Sequence, residues 1–323
     1  MVEKLFEYIE QYESIVIARH KNPDLDAYGS QFGLYYALKA QYPHKNFYIV
    51  GDSNSLNYFG DFDVIPIELR NKSLVIILDT VAKQMLDQVD YLNYDTLVLV
   101  DHHRNDPDID HDLYIRDTNA SSTAEMVAEM LLNQNIDINL DSAKALYMGI
   151  LGDTGRFRFN STTSKTFLIA SKLLESGINI QEIHDLVYLE SFEDKKIKSV
   201  FFESVELTKK HVAYRKNTKE FLDKYNLNAH YVSRGLIGQM AGIKEIPIWV
   251  NFTYDPEEDH IKCELRSRDY EVLKVAKKYG GGGHLLACGC SVDTWDQTDL
   301  ILNDLDELLE EEKNDSRSNF RKN

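Results

Sequence analysis

Four segments in the first half of the chain end in side chains that can hold a metal. Residues 14–18 (SIVIA) lead to His20, Asp24 and Asp26, and residues 74–78 (LVIIL) run into Asp79. Residues 97–100 (LVLV) run into Asp101-His102-His103, and a helix-patterned stretch at 141–151 ends in Gly152-Asp153-Thr154-Gly155. Taken singly, each has an ordinary structural reading. Asn22-Pro23-Asp24 is turn chemistry, Asp79 suits a helix cap, a histidine can be a core residue, and Gly-Asp-Thr-Gly can be a turn. Four apolar segments that all end in oxygen or imidazole ligands are harder to obtain from capping alone. Ligands of open α/β sheets bind beyond the carboxyl ends of the strands, so these groups are expected to converge on one rim. Carboxylate and imidazole without thiolate favour Mn²⁺ or Mg²⁺ over a structural zinc. Two such ions would be neutralised by Asp24, Asp26, Asp79 and Asp153. A pair about 3.5–4 Å apart suits in-line displacement at phosphorus.

The elements that must position these groups are readable as alternation. Strand patterns at 14–18, 46–50, 74–78 and 96–100 are interleaved with helix patterns near 28–41, 83–91, 122–133 and 141–151. This predicts a largely parallel sheet covered by helices. Ser122-Thr123-Ala124-Glu125 reads as a capping box. Ser161-Thr162-Thr163 opens a further helix to about 176, which Gly177 stops. Residues 180–210 stay helical apart from a charged break at 193–196, and read as a bridge. Beyond it, strands near 211–215, 229–232, 247–253 and 261–266 and helices near 218–226, 233–241, 270–278 and 297–311 predict a smaller α/β domain. The polar tail is expected to fray.

Composition narrows the partners. Of 323 residues, 36 are Lys or Arg and 53 are Asp or Glu, a formal charge of -17 that repels a long polyanion. Small anions held by a few local charges remain. Three cysteines (Cys263, Cys288, Cys290) are too few for a disulfide framework, and the Cys288-Gly289-Cys290 pair reads as small core residues. The first residues lack an apolar core and no run approaches a membrane span, so a soluble, cytoplasmic protein is expected.

The second half adds Arg266-Ser267, then Gly280-Gly281-Gly282-Gly283-His284 and Ala287-Cys288-Gly289. A glycine run alone can be a linker. Between a helix pattern and a histidine, it lets backbone N–H groups approach an anion closely, and Arg266 adds a forked donor. Arg156 and Arg158, alternating with Phe157 and Phe159, read as a half-exposed strand or, alternatively, as groups facing a substrate.

In order and setting, His20, Asp24, Asp26, Asp79, the Asp101-His102-His103 triplet and Asp153 resemble the four motifs of the DHH phosphoesterase superfamily. The later motif resembles that of its DHHA1 companion domain. The resemblance implies a catalytic DHH domain over 1–188, a helical linker over 189–210, a DHHA1 substrate-binding domain over 211–313 and a flexible tail over 314–323. It implies that His20 and Asp24 hold one Mn²⁺ (or Mg²⁺) and that Asp26, His102 and Asp153 hold a second, with Asp79 bridging the two. Asp101 would orient a neighbouring histidine and His103 would face the scissile phosphate, attacked by a hydroxide activated between the metals. Arg266, Ser267, Gly281, Gly282, Gly283 and His284 would anchor the substrate, so both domains would build one active site. Superfamily exonucleases with added nucleic-acid domains, membrane-anchored phosphodiesterases and family II pyrophosphatases fit less well. The compact stand-alone members fit best, bacterial enzymes that degrade short oligoribonucleotides (nanoRNases) and 3'-phosphoadenosine-5'-phosphate (pAp). Cyclic di-AMP or pApA hydrolysis is the near alternative, and a non-catalytic nucleotide-binding regulator the distant one. Short RNA, pAp or pApA are the expected partners, without long nucleic acid or membrane; a homodimer is left open.

Overall fold

A computed structural model describes residues 1–51, 58–60, 62–86 and 93–320, with side chains beyond residue 311 excepted. The chain forms two compact units, Met1–Leu189 and Glu190–Asn323. The first contains α1 (Val2–Gln11), β1 (Ser14–Arg19), α2 (Leu25–Gln41), β2 (Asn46–Ile49), α3 (Ile67–Arg70) and β3 (Leu74–Leu78). It continues with β4 (Thr96–Asp101), β5 (Leu113–Arg116), α4 (Thr123–Asn133), α5 (Leu140–Asp153), α6 (Ser164–Glu175) and α7 (Ile180–Tyr188).

The five strands are all parallel, in the order β2-β1-β3-β4-β5. Their unbroken apolar runs follow from burial on both faces. Ile15, Ile17, Leu74, Ile76, Leu78, Val98 and Val100 pack against the helices, while Val16, Ala18, Val75, Ile77, Leu97 and Leu99 pack on Val50, Ile65, Val81 and Ile109. The chain leaves β1 for β2 on one side and resumes with β3 on the other. The carboxyl ends of β1 and β3 therefore flank a topological switch point, where such sheets bind ligands.

Two glycines let the helices behind that point approach closely. A Cβ on Gly29 of α2 would lie 2.5 Å from the Ala145 carbonyl oxygen of α5, and one on Gly149 would lie 2.6 Å from Ala124 Cβ of α4. Residues 26–34 of α2 are consequently buried on every side. Three expected boundaries move. Asp24 caps α2, which starts three residues earlier than its apolar pattern. The helix expected near 83–91 is a 3-10 turn, Lys83–Met85, and 87–92 lie outside the described residues. The alternating stretch 156–159 is no strand: it forms turns in which Arg156 and Phe157 take φ of 65° and 60°.

The second unit holds α8 (Phe192–Glu203), β6 (Glu206–Leu207), β7 (Val212–Asn217), α9 (Lys219–Tyr225), β8 (Ile248–Asp255) and β9 (His260–Ser267). These precede α10 (Leu273–Lys278), β10 (Gly282–Gly283), β11 (Ala287–Val292) and α11 (Trp295–Phe320). Its mixed sheet runs β10-β11-β9-β8-β7-β6, with β7 and β8 parallel and the remaining pairs antiparallel. Ile301, Leu305 and Leu309 of α11 cover one face; Ile197 and Phe201 of α8 join Ala213, Leu222 and Val232 on the other. The stretch expected as a bridge thus contributes α8 to this unit's core. The strand expected at 229–232 is replaced by a π-helical turn, Tyr231–Gly235, and the helix expected at 233–241 by that turn and a 3-10 turn, Ile237–Met240. Asn228 starts the π-helical turn by accepting from the Tyr231 N–H at 2.7 Å. The expected fraying tail continues the α11 backbone to Phe320, and 321–323 lie outside the described residues.

The close helix contact is testable. Gly149→Ala should cost about 1–3 kcal/mol, as overpacking does. Gly238→Ala, whose Cβ meets nothing within 4 Å, serves as the control and should cost nothing. Equal urea midpoints for the two variants would contradict the packing argument.

Candidate metal centre

His20 follows β1, and its Nδ1–H donates to the Lys21 carbonyl at 2.8 Å, which leaves Nε2 as an acceptor. That Nε2 lies 3.4 Å from Asp79 Oδ2 and 4.0 Å from Asp24 Oδ1. Asp24 is held as the cap of α2, accepting from the N–H groups of Asp26 and Ala27. Asp79 leaves β3 with φ of 62°, a left-handed conformation that is strained for a residue with a Cβ and turns the chain sharply at the strand end.

The buried carboxylates are set by α4. Asp26 Oδ2 accepts from the Thr123 N–H at 2.7 Å and Oδ1 from the Ala124 N–H at 2.8 Å, two of the orphan donors of that helix. Thr123 Oγ1 donates to Asp79 Oδ1 at 2.9 Å. Ser122 caps the helix through the Glu125 N–H, as the capping-box reading expected, but Glu125 reaches Ser121 instead of closing the box. Thr123 thus holds two buried carboxylates, although the sequence reading treated it only as part of a cap.

His102 Nε2 lies 3.2 Å from Asp153 Oδ2, 3.7 Å from Asp79 Oδ1 and 3.8 Å from Asp26 Oδ2. His103 Nδ1–H donates to Asp101 Oδ1 at 2.7 Å, so Asp101 orients His103. Three sets of donor atoms gather within 4.8 Å: His20, Asp24 and Asp79; Asp26, His102 and Asp153; and Asp79, His102 and His103. Asp79 stands in two of them.

The electrostatics suit a cation. Among the described residues, the ion-pair partners of Asp24, Asp26, Asp79 and Asp153 are histidines only. Burial, and then the charge of Asp153, hold Asp26 well above the usual carboxylate range. Burial and the charge of Asp26 do the same to Asp79. Burial would depress His102, but Asp153, Asp26 and Asp101 outweigh it and push its pKa up to about 9. His102 Nε2 is nonetheless buried without a hydrogen bond of acceptable geometry among the described residues. An orphaned imidazole nitrogen facing carboxylates that lack Lys or Arg fits a divalent ion with oxygen and nitrogen ligands.

The second unit has its own cavity of about 830 Å³, lined by Arg234, Glu264, Arg266, Gly282, Gly283 and His284 among others. Arg266 Nη1 donates to the carbonyls of Leu265 and Cys288, and Nη2 to Glu264 Oε2. Gly282 and Gly283 pair with Gly289 and Cys288 of β11 as a short strand. Two expected anchors stand elsewhere. The Ser267 hydroxyl donates to the Tyr270 carbonyl and accepts its N–H, holding the turn after β9. Gly281 faces β11, where a Cβ would sit 2.2 Å from the Gly289 oxygen. In the first unit, Arg156 stacks on Tyr188 at 4.5 Å and Arg158 donates to the Gly155 carbonyl.

Both units have counterparts among known proteins. Residues 14–150 match the DHH family, N-terminal domain, and residues 225–311 match the DHHA1 domain. A Bacillus subtilis protein named bifunctional oligoribonuclease and PAP phosphatase NrnA is 36% identical, covering 96% of this chain and 99% of that one. A Streptococcus mutans protein named probable bifunctional oligoribonuclease and PAP phosphatase NrnA is 34% identical over 93% of this chain and 96% of its own. The solved structure of an exopolyphosphatase-related protein from Bacteroides fragilis superposes with a TM-score of 0.85 at 25% identity, over 96% of this chain and 97% of that one. With strand-end carboxylates and histidines gathered around Asp79, and both domains matched in order, this chain belongs to the DHH phosphoesterase family.

Proposed function

We propose that this phosphoesterase hydrolyses short oligoribonucleotides to mononucleotides and pAp to AMP, using two Mn²⁺ ions in the first unit and a phosphate grip in the second. The observation that carries the reading is the gathering of three donor sets in which Asp79 and His102 each stand twice. The names of the Bacillus subtilis and Streptococcus mutans relatives supply the substrate class.

His20 and Asp24 are assigned to one ion, Asp26, His102 and Asp153 to the other, and Asp79 to both. Bound there, the ions would activate water and neutralise charge developing at phosphorus. The chain does the rest. Thr123 and the α4 N-terminus keep the Asp26 and Asp79 carboxylates fixed, so little reorganisation accompanies reaction. His103, held through Nδ1 by Asp101, presents Nε2 to a phosphate oxygen or to the leaving group. In the second unit, Arg266, His284 and the backbone of Gly282 and Gly283 line a cavity whose donors suit a phosphate. The -17 charge disfavours long strands. The three thiols are free and no described helix is long and apolar enough to cross a membrane, in keeping with a cytoplasmic setting.

Turnover of pAp, pApA, cyclic di-AMP, a trinucleotide and a long single strand with Mn²⁺ tests the reading. It predicts efficient hydrolysis of pAp and of the trinucleotide, and little of the long strand. Equal efficiency on trinucleotide and long strand would refute it.

His103→Ala should lower kcat on pAp by about 10²–10⁴, the range of general acid–base contributions. Both metal equivalents should remain bound, because His103 is held by Asp101 rather than assigned to an ion. Loss of metal together with activity would make His103 a ligand instead.

The pH dependence has a definite sign. Asp26, Asp79 and His102 all have folded pKa values raised above their ordinary ones, so the metal-free native state holds more protons than the unfolded chain. Their contribution to stability is lost as pH rises, and for His102 the window runs from about 6.5 to about 9. Metal ligation displaces those protons. The gap in Tm between Mn²⁺-loaded and chelated protein should therefore widen from pH 6 to pH 9. A constant or shrinking gap would contradict the assignment.

A further inference from the structure

The second unit contains a buried polar network that the phosphate grip does not require. Arg215 Nε donates to Asn217 Oδ1 at 2.6 Å, and Asn217 Nδ2 donates to Asn251 Oδ1 at 2.7 Å. Asn251 Nδ2 donates in turn to the carbonyls of Val232 at 2.6 Å and Ser233 at 2.9 Å. Both asparagines are fully buried. Polar groups are costly to bury unless satisfied, and networks of this kind specify one local geometry. What this one secures is the π-helical turn Tyr231–Gly235, a rare wide turn of the sort that recurs at functional sites.

That turn carries Arg234 to the cavity. Arg234 Nε donates to Glu264 Oε1 at 3.1 Å, while the other oxygen of Glu264 accepts from Arg266. Glu264 is largely buried, so one carboxylate ties two guanidiniums to the floor of the cavity. The two arginines differ in what they have left. Arg266 spends Nη1 on two carbonyls and Nη2 on Glu264. Arg234 is anchored through Nε alone, and its two terminal nitrogens have no protein partner among the described residues. A fork fixed at Nε with both ends free is the geometry that binds a phosphate bidentately. The triad keeps a net positive charge despite the carboxylate. Beside it, Ser233 contributes to the cavity wall, 1% exposed, and its hydroxyl has no hydrogen-bond partner among the described residues. Lys262, the next cation on this face of β9, is neutralised by Asp255 at 2.5 Å.

We propose that Arg234 is a second anion-binding group of this cavity, which takes one further phosphodiester of an oligonucleotide beside the phosphate held by Arg266, with Glu264 as its positioning residue. The inference rests on the oligonucleotide reading above and narrows it: within this one cavity Arg266 meets one phosphate and Arg234 another. A 5'-phosphorylated trinucleotide carries one phosphodiester more than a 5'-phosphorylated dinucleotide, and that additional group is the one assigned to Arg234.

The experiment compares kcat and KM for those two RNAs in full-length, Mn²⁺-loaded wild type and in Arg234→Gln, Arg234→Lys and Glu264→Gln. Arg234→Gln should lower kcat/KM about tenfold for the trinucleotide and about twofold or less for the dinucleotide, with the loss in KM. Arg234→Lys keeps the charge without the fork and should recover part of the loss. Glu264→Gln should raise KM for the trinucleotide with kcat held. Equal losses on both RNAs, or none on the trinucleotide, would overturn the proposal. Calorimetric binding of the trinucleotide to the chelated full chain separates this claim from the hydrolytic one. About tenfold weaker binding by Arg234→Gln supports the subsite even where wild type does not turn the RNA over, and unchanged binding overturns it.

Discussion

Asp26 accepts from the first two backbone N–H groups of α4 while buried at 0% exposure, and the first unit is organised around that contact. The helix end supplies orphan donors and a partial positive charge, which together make a buried carboxylate tolerable. Bringing α2 and α4 into this register requires the backbones behind them to close in, and Gly29 and Gly149 permit it. The same helix end reaches Asp79 through the Thr123 hydroxyl, so one element positions acids from two different segments.

The arrangement opposes itself in the absence of a cation. Four carboxylates crowd one strand-end rim; burial and mutual repulsion raise the proton affinity of Asp26 and Asp79, and the surrounding carboxylates raise that of His102 against its burial. The fold holds them there because the apolar strands and close-packed helices supply the offsetting stability. The second unit resolves the same problem internally: Glu264 is buried among charged neighbours, but it is shared by Arg234 and Arg266.

Much of this was legible in the residues. The apolar runs at 14–18, 74–78 and 97–100 could only be buried strands, and the groups that end them meet as their shared position at strand ends implies. What was not legible depends on contacts distant in the chain. The bond from Thr123 to Asp26 spans 97 residues, and no local pattern in Ser122-Thr123-Ala124-Glu125 announces it. Ser267 resembles a substrate contact in its motif but is spent on the turn to Tyr270. The strand expected at 229–232 fails because Asn228 and the buried Asn251 stabilise a helical turn there, a tertiary override of a short apolar pattern. Arg234 was invisible for the same reason, since its role depends on where that turn places it.

The central claim is that two ions sit on either side of Asp79. Anomalous scattering from crystals grown with Mn²⁺ tests it most directly. The account predicts two peaks about 3.5–4 Å apart, one beside His20 and Asp24 and one beside Asp26, His102 and Asp153, with the Asp79 carboxylate between them. A single peak, or none within reach of Asp79 at saturating Mn²⁺, would contradict it.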